Sequence, residues 1–292
     1  MKQWHVSQKE EGQKLVAFLS SKNSGLLSSR KIKKAIENNC CRINGQTVRK
    51  ASETVNKGSL IEFDDQAVNH LPPAHYELET SRIIYEDNSL FIYNKPPGLS
   101  SDSSGLASLL PQYLPLHRLD RETSGVIAFA KTKKACDIVT SFFKDRQVEK
   151  EYIALVDKIP ELTHGQIESF IGKHYQKGSF VLWGNVSKDR GRLAKTNWTL
   201  HSRGENCSVI ICRPITGRTH QLRIHLKQIG HPILGDFRYT PSYSCTYPAK
   251  RCLLHASSLS FNHPITEKYM NFTAPIPFDL EEAIKMTQQV VL

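Results

Sequence analysis

The stretch His117-Arg118-Leu119-Asp120-Arg121-Glu122-Thr123-Ser124-Gly125-Val126-Ile127-Ala128-Phe129-Ala130 joins a charged loop to an unbroken apolar strand. A Pro-bearing loop precedes it, so Asp120 is predicted at the mouth of a sheet rather than along a solvated helix. On composition alone the same charges also suit a surface loop whose members pair with one another. Upstream, Ile83–Tyr85 and Leu90–Tyr93 read as a hairpin around Glu86-Asp87-Asn88, ended by Lys95-Pro96-Pro97-Gly98. Downstream, Cys136, Val139 and Phe143 line one face of a helix. Tyr152–Val156, Trp198–Leu200 and Ser208–Cys212 then return as strands. Neither a regular βαβ alternation nor a fixed repeat is present, which predicts an α+β domain from about residue 80 to residue 292.

Residues 1–65 read as a separate, smaller unit. Leu15, Phe18 and Leu19 have helical spacing, as do Ile32, Ala35 and Ile36, and Ser28 or Ser29 can cap the second helix. A turn at Asn44-Gly45 separates Cys41–Ile43 from Thr47-Val48 as a short hairpin, and Leu60–Phe63 forms a last strand. Residues 66–79, with His70, Pro72, Pro73 and His75, have the composition of a linker. The unit is basic: 12 Lys and Arg oppose 7 Asp and Glu, and between Lys22 and Lys50 only Glu37 opposes eight cations.

The whole 292-residue chain carries 39 Lys and Arg against 28 Asp and Glu, a net charge of +11. That excess points to a polyanionic partner, nucleic acid or an acidic membrane surface. A hydrophobic share of 39% with 23% charged residues excludes a chain disordered throughout. No apolar run reaches the ~20 residues that span a bilayer, and no signal core follows Met1. The seven cysteines include no C-x-x-C pair and read as neither a disulfide framework nor a zinc ribbon, so a reducing cytoplasm is the expected compartment.

A second chemical stretch runs from Ile215 to Gly230. Thr219 is the predicted N-cap, Leu222, Leu226 and Ile229 the buried stripe, and Gly230 the stop. His220, Arg223 and Lys227 share the neighbouring face, and a helix start bearing Arg218 and His220 suits a phosphate or a carboxylate. His220 and His225 stand five apart, off a common face, which argues against a zinc pair. An amphipathic helix with a solvated basic flank accounts for the same pattern. A kinase catalytic loop is excluded for HRLD, because no Gly-rich loop or Asp-Phe-Gly accompanies it.

Taken together, HRLDRETSG (117–125), KEYIALV (150–156), PITGRTHQLRIHLKQIGHPILGD (214–236), RCLLHASSLSFNHP (251–264) and the opening NKPPGL (94–99) resemble the RluA-type family of pseudouridine synthases. The blocks come in the family's order and span most of residues 80–275. Residues 1–65 resemble, more diffusely, the alpha-L RNA-binding module found in many members and in a ribosomal small-subunit protein, through Gln13-Lys14-Leu15, Ser29-Arg30 and Arg42-Ile43-Asn44-Gly45. The resemblance implies a mixed, mostly antiparallel sheet and isomerisation of uridine within RNA. The base leaves the ribose, turns, and reattaches through carbon 5.

The same resemblance assigns the residues. Asp120 is implied as the catalytic aspartate, attacking the nucleotide or taking a proton from it. Tyr152 is implied as the tyrosine that stacks on the base, and Arg223 as the arginine paired with the aspartate. Leu253 or Leu254 is implied as the apolar floor, and Arg118 as the arginine that enters the space a flipped base vacates. Arg218, His220, Arg30, Lys33, Lys34, Arg42 and Arg49 are the expected RNA-binding residues. No metal or organic cofactor is implied. Ribosomal RNA of the large subunit is favoured as substrate over transfer RNA by family association, and a monomer is expected. The rival readings are a non-catalytic RNA-binding or ribosome-assembly clamp and a hydrolase of free nucleosides. The first has no chemical need for Asp120, Tyr152 and Arg223 together, and the second gains nothing from a basic module.

Overall fold

Two compact units, Met1–His75 and Tyr76–Leu292, make up the computed structural model, which describes residues 1–23, 27–37, 40–48, 50–65, 77–177, 180–240 and 242–288. In the first unit β1 (Lys2–His5) precedes helices α1 (Leu15–Lys22) and α2 (Ser29–Glu37) and the strands β2 (Cys41–Ile43), β3 (Gln46–Thr47) and β4 (Leu60–Phe63). The strands form one antiparallel sheet in the order β1-β4-β2-β3. Its core joins Leu15, Phe18 and Leu19 of α1 to Ile32, Ala35 and Ile36 of α2, over Ile61 and Phe63 of β4. Each such side chain contributes about 1.5–3 kcal/mol on full burial. The Ser28 hydroxyl accepts the Lys31 amide at 3.3 Å and caps α2. Asn44 and Gly45 both take positive φ, the geometry of a two-residue hairpin turn.

The second unit begins with the hairpin β5 (Ile83–Glu86) and β6 (Leu90–Lys95), followed by α3 (Leu106–Leu109) and β7 (Leu114–Pro115). The Asp87 carboxylate accepts the amides of Ser89 and Leu90 and fixes the β5–β6 turn. Then come β8 (Ser124–Ala130), α4 (Lys133–Lys144), β9 (Glu149–Asp157), β10 (His164–Lys177), β11 (Phe180–Asn185), β12 (Arg192–Arg203) and β13 (Cys207–Pro214). Helix α5 (Gln221–Gln228), β14 (Leu254–Asn262), β15 (Tyr269–Thr273) and α6 (Phe278–Gln288) complete it.

One sheet runs β11-β10-β12-β13-β9-β14-β8-β6-β5, with β15 added to β14 and β7 to β8. Every described pairing is antiparallel except β14 with β8. At that parallel seam Ala256 faces Gly125, whose φ is +111°. A side chain there would meet the Ala256 carbonyl oxygen at 2.1 Å, so only glycine lets the strands close. All of β8 is buried, as its apolar run requires. A single row across the sheet aligns Cys212, Tyr152, Ala256, Gly125 and Lys95. The loop carrying Asp120 ends on that row, so the sheet itself brings Asp120 and Tyr152 to one place.

Candidate active site

The Asp120 loop is pinned from two sides. On one side the buried Lys95 ammonium donates to the carbonyls of Pro96, Leu99 and Arg121 at 2.8–3.2 Å. Arg121 donates through Nε to the Gly98 carbonyl, and Ser101 bonds both the Leu119 amide and its carbonyl. On the other side Arg251 donates to the Glu122 carbonyl while clamping Asp279, and the Glu122 carboxylate accepts the Cys252 amide at 3.2 Å. His117, pulled down to about 3 by burial, stays neutral and accepts the Ala128 amide through Nε2. Apart from the Arg251–Asp279 pair, each of these bonds ties backbone, so Asp120 is held by a frame rather than by its own rotamer preference.

The aspartate opens into a cleft walled by Arg118, Lys150, Tyr152, Arg218, His220 and Leu254. Its side chain keeps 19% exposure while Arg223 keeps 7%. Arg223 donates through Nη1 to Asp120 Oδ2 at 3.1 Å. Its other edge forms a two-point bond to Asp236, Nε to Oδ2 at 2.8 Å and Nη2 to Oδ1 at 2.6 Å. The guanidinium also lies 5.0 Å from the centre of the Tyr239 ring. Such a fork geometry suits arginine and not lysine.

Electrostatics follow from this ladder. Burial opposes ionisation of Asp120, but His220, Arg223 and Arg118 outweigh it and hold its carboxyl below the ordinary carboxylate value. His220 is itself drawn down to about 4, chiefly by burial. The imidazole is therefore neutral at pH 7, and Arg223 is the cation that keeps Asp120 charged in the closed site. Asp120 lies 3.8 Å from His220 Nε2, and the Tyr239 hydroxyl lies 2.6 Å from Nδ1. The nearby carboxylate favours the proton on Nε2, leaving Nδ1 to accept from Tyr239. Burial pushes the Tyr152 phenol up, with Asp120 adding to the effect, so it is uncharged at neutral pH.

Several sequence expectations shift in detail. His220, not Thr219, is the N-cap residue of α5, with φ 56°, and its side chain caps nothing. The turn is instead locked by Gln221, whose Oε1 accepts Thr216 Oγ1 and the Arg218 amide, and whose Nε2 donates to Lys195 O and Thr196 Oγ1. The basic flank of α5 is solvated at Lys227 but not at Arg223, which is as buried as Leu222. Leu254 lines the cleft, whereas Leu253 lies in the core with Leu234 and Cys252 and does not reach it. Arg118 and Arg218 stand on the cleft wall, and His220 faces Asp120 instead of an open phosphate site.

In the first unit Arg30 and Lys33 are exposed on α2, while Lys34 and Arg42 are half-buried. Arg49 lies outside the described residues. The sequence reading missed Asp236, Tyr239, Lys95 and Lys150. Asp236 lies inside the motif block 214–236, but no local signal marks it, and its burial against Arg223 is what gives it a role. Among the described residues no cluster of three or more His, Cys, Asp or Glu could hold a metal ion. No described helix is long and apolar enough to cross a membrane.

Comparison with known proteins places this geometry in a class. The sequence model of RNA pseudouridylate synthases matches residues 89–228. A ribosomal large subunit pseudouridine synthase C of Haemophilus ducreyi is 31% identical, over 94% of this chain and 92% of its own. A dual-specificity RNA pseudouridine synthase RluA of Escherichia coli K12 is 35% identical, over 67% of this chain and 93% of its own. Human RNA pseudouridylate synthase domain containing 4 superposes with a TM-score of 0.60 at 25% identity, covering 70% of this chain and 92% of its own. The chain belongs to the RluA-type family of pseudouridine synthases, isomerases that convert uridine to pseudouridine in RNA.

Proposed function

We propose that this enzyme isomerises uridines in large-subunit ribosomal RNA, with Asp120, Tyr152 and Arg223 as its working residues. The observation that carries the reading is an ionised carboxylate at the foot of a cleft, held by Arg223, which Asp236 holds in turn. Breaking a base–sugar bond calls for a carboxylate beside the sugar, either as nucleophile or as base, and both roles need it charged. The bond from N1 to C1′ breaks, the base turns, and C5 bonds to C1′. C5 then loses its proton and N1 gains one, so no water enters the balance. A closed pocket prevents loss of the detached base.

Tyr152 packs against the base and, as a neutral phenol, passes the C5 proton on rather than standing as a charged base. Leu254 supplies apolar contact. Arg118, exposed at the rim, fills the space a flipped nucleotide leaves, at a flipping cost of a few kcal/mol. Residues 1–65 act as an alpha-L-type RNA-binding module, joined through residues 66–79 to the catalytic domain at 80–292. Their two helices over a four-stranded sheet with exposed Arg30 and Lys33 support this. The large-subunit synthase among the relatives favours ribosomal RNA over transfer RNA. The protein is read as a monomer, and all seven cysteines are free thiols, which suits a reducing cytoplasm.

Asp120→Asn tests the assignment. The isostere keeps the fold and RNA binding but removes the charge, so tritium release from RNA labelled at uridine C5 should stop. Wild-type release by the variant would refute the role of Asp120. An unmodified protein that binds ribosomal RNA without releasing tritium from it would favour the clamp.

A further inference from the structure

A second cleft, wider than the first, adjoins the active site and shares Gly217, Arg218 and Thr219 with it. Its other walls come from β10, β11, the 186–191 loop and the start of β12: Lys173, Trp183, Arg190 and Arg192. Four cations thus line it, with Asp189 as the acid on its rim. Among the described residues none of Lys173, Arg190, Arg192 or Arg218 forms an ion pair with a carboxylate. Arg218 is anchored by donating Nε to the Leu193 carbonyl at 3.0 Å, which leaves its terminal nitrogens for another partner. Burial, then Arg192 and Arg146, lower its pKa, as cations gathered close together do.

The cleft is shaped by close backbone approach rather than by loose surface side chains. Gly172 on β10 lies so near the 186–191 loop that a side chain there would meet the Arg190 carbonyl oxygen at 2.4 Å. The Val186 amide bonds the Phe170 carbonyl at 2.9 Å and fixes the same loop. Trp183 pairs with Lys173 across β10 and β11. One side of its indole packs on the small cluster of Ile171, Ala194, Ile224 and Tyr239, and its remaining surface lines the cleft. An aromatic face beside several arginines that form no ion pair among the described residues is the combination that holds single-stranded nucleic acid: phosphates on the cations, a base on the ring.

The geometry points to a second RNA subsite here, in which Arg218, Arg192 and Arg190 track the phosphates leaving the reactive nucleotide and Trp183 stacks a flanking unpaired base. This rests on the reading that the first cleft takes a uridine of an RNA strand. It adds a length requirement, because a strand must run past the reactive nucleotide to reach Trp183. Arg218 is common to both clefts and so marks the point of exit.

Binding of the full chain to labelled oligouridylates of about 4 and about 12 nucleotides separates the possibilities. The longer strand should bind at least tenfold more tightly, and Trp183→Ala or Arg192→Gln should remove most of that advantage. Trp183→Phe should keep it, since a ring remains, and Arg192→Gln should lower the log–log salt slope by about 0.7. An abasic oligomer of equal charge should bind the parent protein and Trp183→Ala alike. An unchanged length dependence in both Trp183→Ala and Arg192→Gln would overturn the subsite, as would a parent protein that binds neither oligomer. Equal binding of abasic and base-bearing strands would show a site for polyanions generally, acidic proteins included, and refute the stacking role. Tritium release by the same preparation is read separately. Its absence alongside Trp183-dependent binding would refute the isomerase reading and leave the subsite standing.

Discussion

The floor of the Asp120 cleft and the basic face of α2 use charge in opposite ways. In the cleft, Asp120, Arg223 and Asp236 form an alternating ladder in which Arg223 and Asp236 are 6% and 1% exposed and every contact is a directed hydrogen bond. On α2, Arg30 and Lys33 point into water. Buried charges cost several kcal/mol each to desolvate, and a ladder repays this only when its geometry is tight. What it provides is a carboxylate of fixed aim and fixed charge. Exposed cations cost little and act over about a Debye length, ~8 Å at physiological salt. Changes to the ladder should therefore act on the chemical step, and changes to the surface on encounter and salt response.

The largest effect expected beyond Asp120 itself is at Asp236. Asp236→Asn keeps shape and one acceptor but removes the charge that holds Arg223 in place. By analogy with other positioning shells, kcat should fall about 10–100-fold with KM for RNA little changed. The pH profile gives the sign. With Asp236 neutral, Arg223 acts on Asp120 alone, and the acid limb of kcat should move to lower pH. Arg223→Gln should move that limb the other way, because burial then raises the Asp120 pKa unopposed. A kcat loss in Asp236→Asn that tracks only a lower melting temperature, with no shift of the limb, would reduce the residue to a structural one.

The contrast also explains what could be read from the residues. Ile32, Ala35 and Ile36 mark their helix face because a helix repeats its burial every turn, and all three are buried. Gly125–Ala130 declares a strand by unbroken apolarity, and β8 begins one residue earlier. Asp120, Tyr152, Arg223 and Leu254 fall together in one cleft, as their contiguous motif blocks suggest. Asp236 was not read, because nothing local distinguishes a buried acid from a turn acid. Its partner lies across a helix, and only burial reveals it. Strand β10 escaped for another reason: its pairing with β11 carries a bulge between Lys173 and Tyr175, where the alternation of faces slips by one residue. His220 needed φ 56°, a conformation a propensity argument gives to glycine or asparagine first.

Lys95 joins the two kinds of charge, since it is a fully buried amine with no acid in contact among the described residues, satisfied by three carbonyls. Lys95→Met would leave those carbonyls without a donor and loosen the frame around Asp120. A loss of about 2–4 kcal/mol in stability is expected, with a smaller fall in kcat than at Asp236. Burial lowers the Lys95 pKa from the usual 10.5 to about 7. Between those values the unfolded chain binds a proton that the folded chain does not, so stability contributed through this group rises with pH. The melting temperature of the unmodified protein relative to Lys95→Met should accordingly increase from pH 7 towards pH 10. A constant difference across that range would mean that the ammonium stays charged among its carbonyls.

The smallest effect tests the other half of the comparison. Arg30→Gln with Lys33→Gln, made in the full chain, removes two exposed charges from α2 and touches none of Ile32, Ala35 or Ile36, so the first unit should keep its core. If both cations meet phosphates, the log–log slope of RNA affinity against salt should drop by roughly 1.4–1.8 in total, at ~0.7–0.9 per lost contact. Affinity for ribosomal RNA should weaken most at low salt, where screening is least, and converge with the parent protein as salt rises. The single-turnover rate at saturating RNA should be unchanged, because no member of the Asp120 ladder is altered. That pairing of outcomes is the opposite of the one expected at Asp236. A filter-binding salt series beside single-turnover tritium release reads both at once. An unchanged slope would assign these charges to solvent, and a slowed chemical step would mean that the α2 cations also shape how the uridine is presented to Asp120.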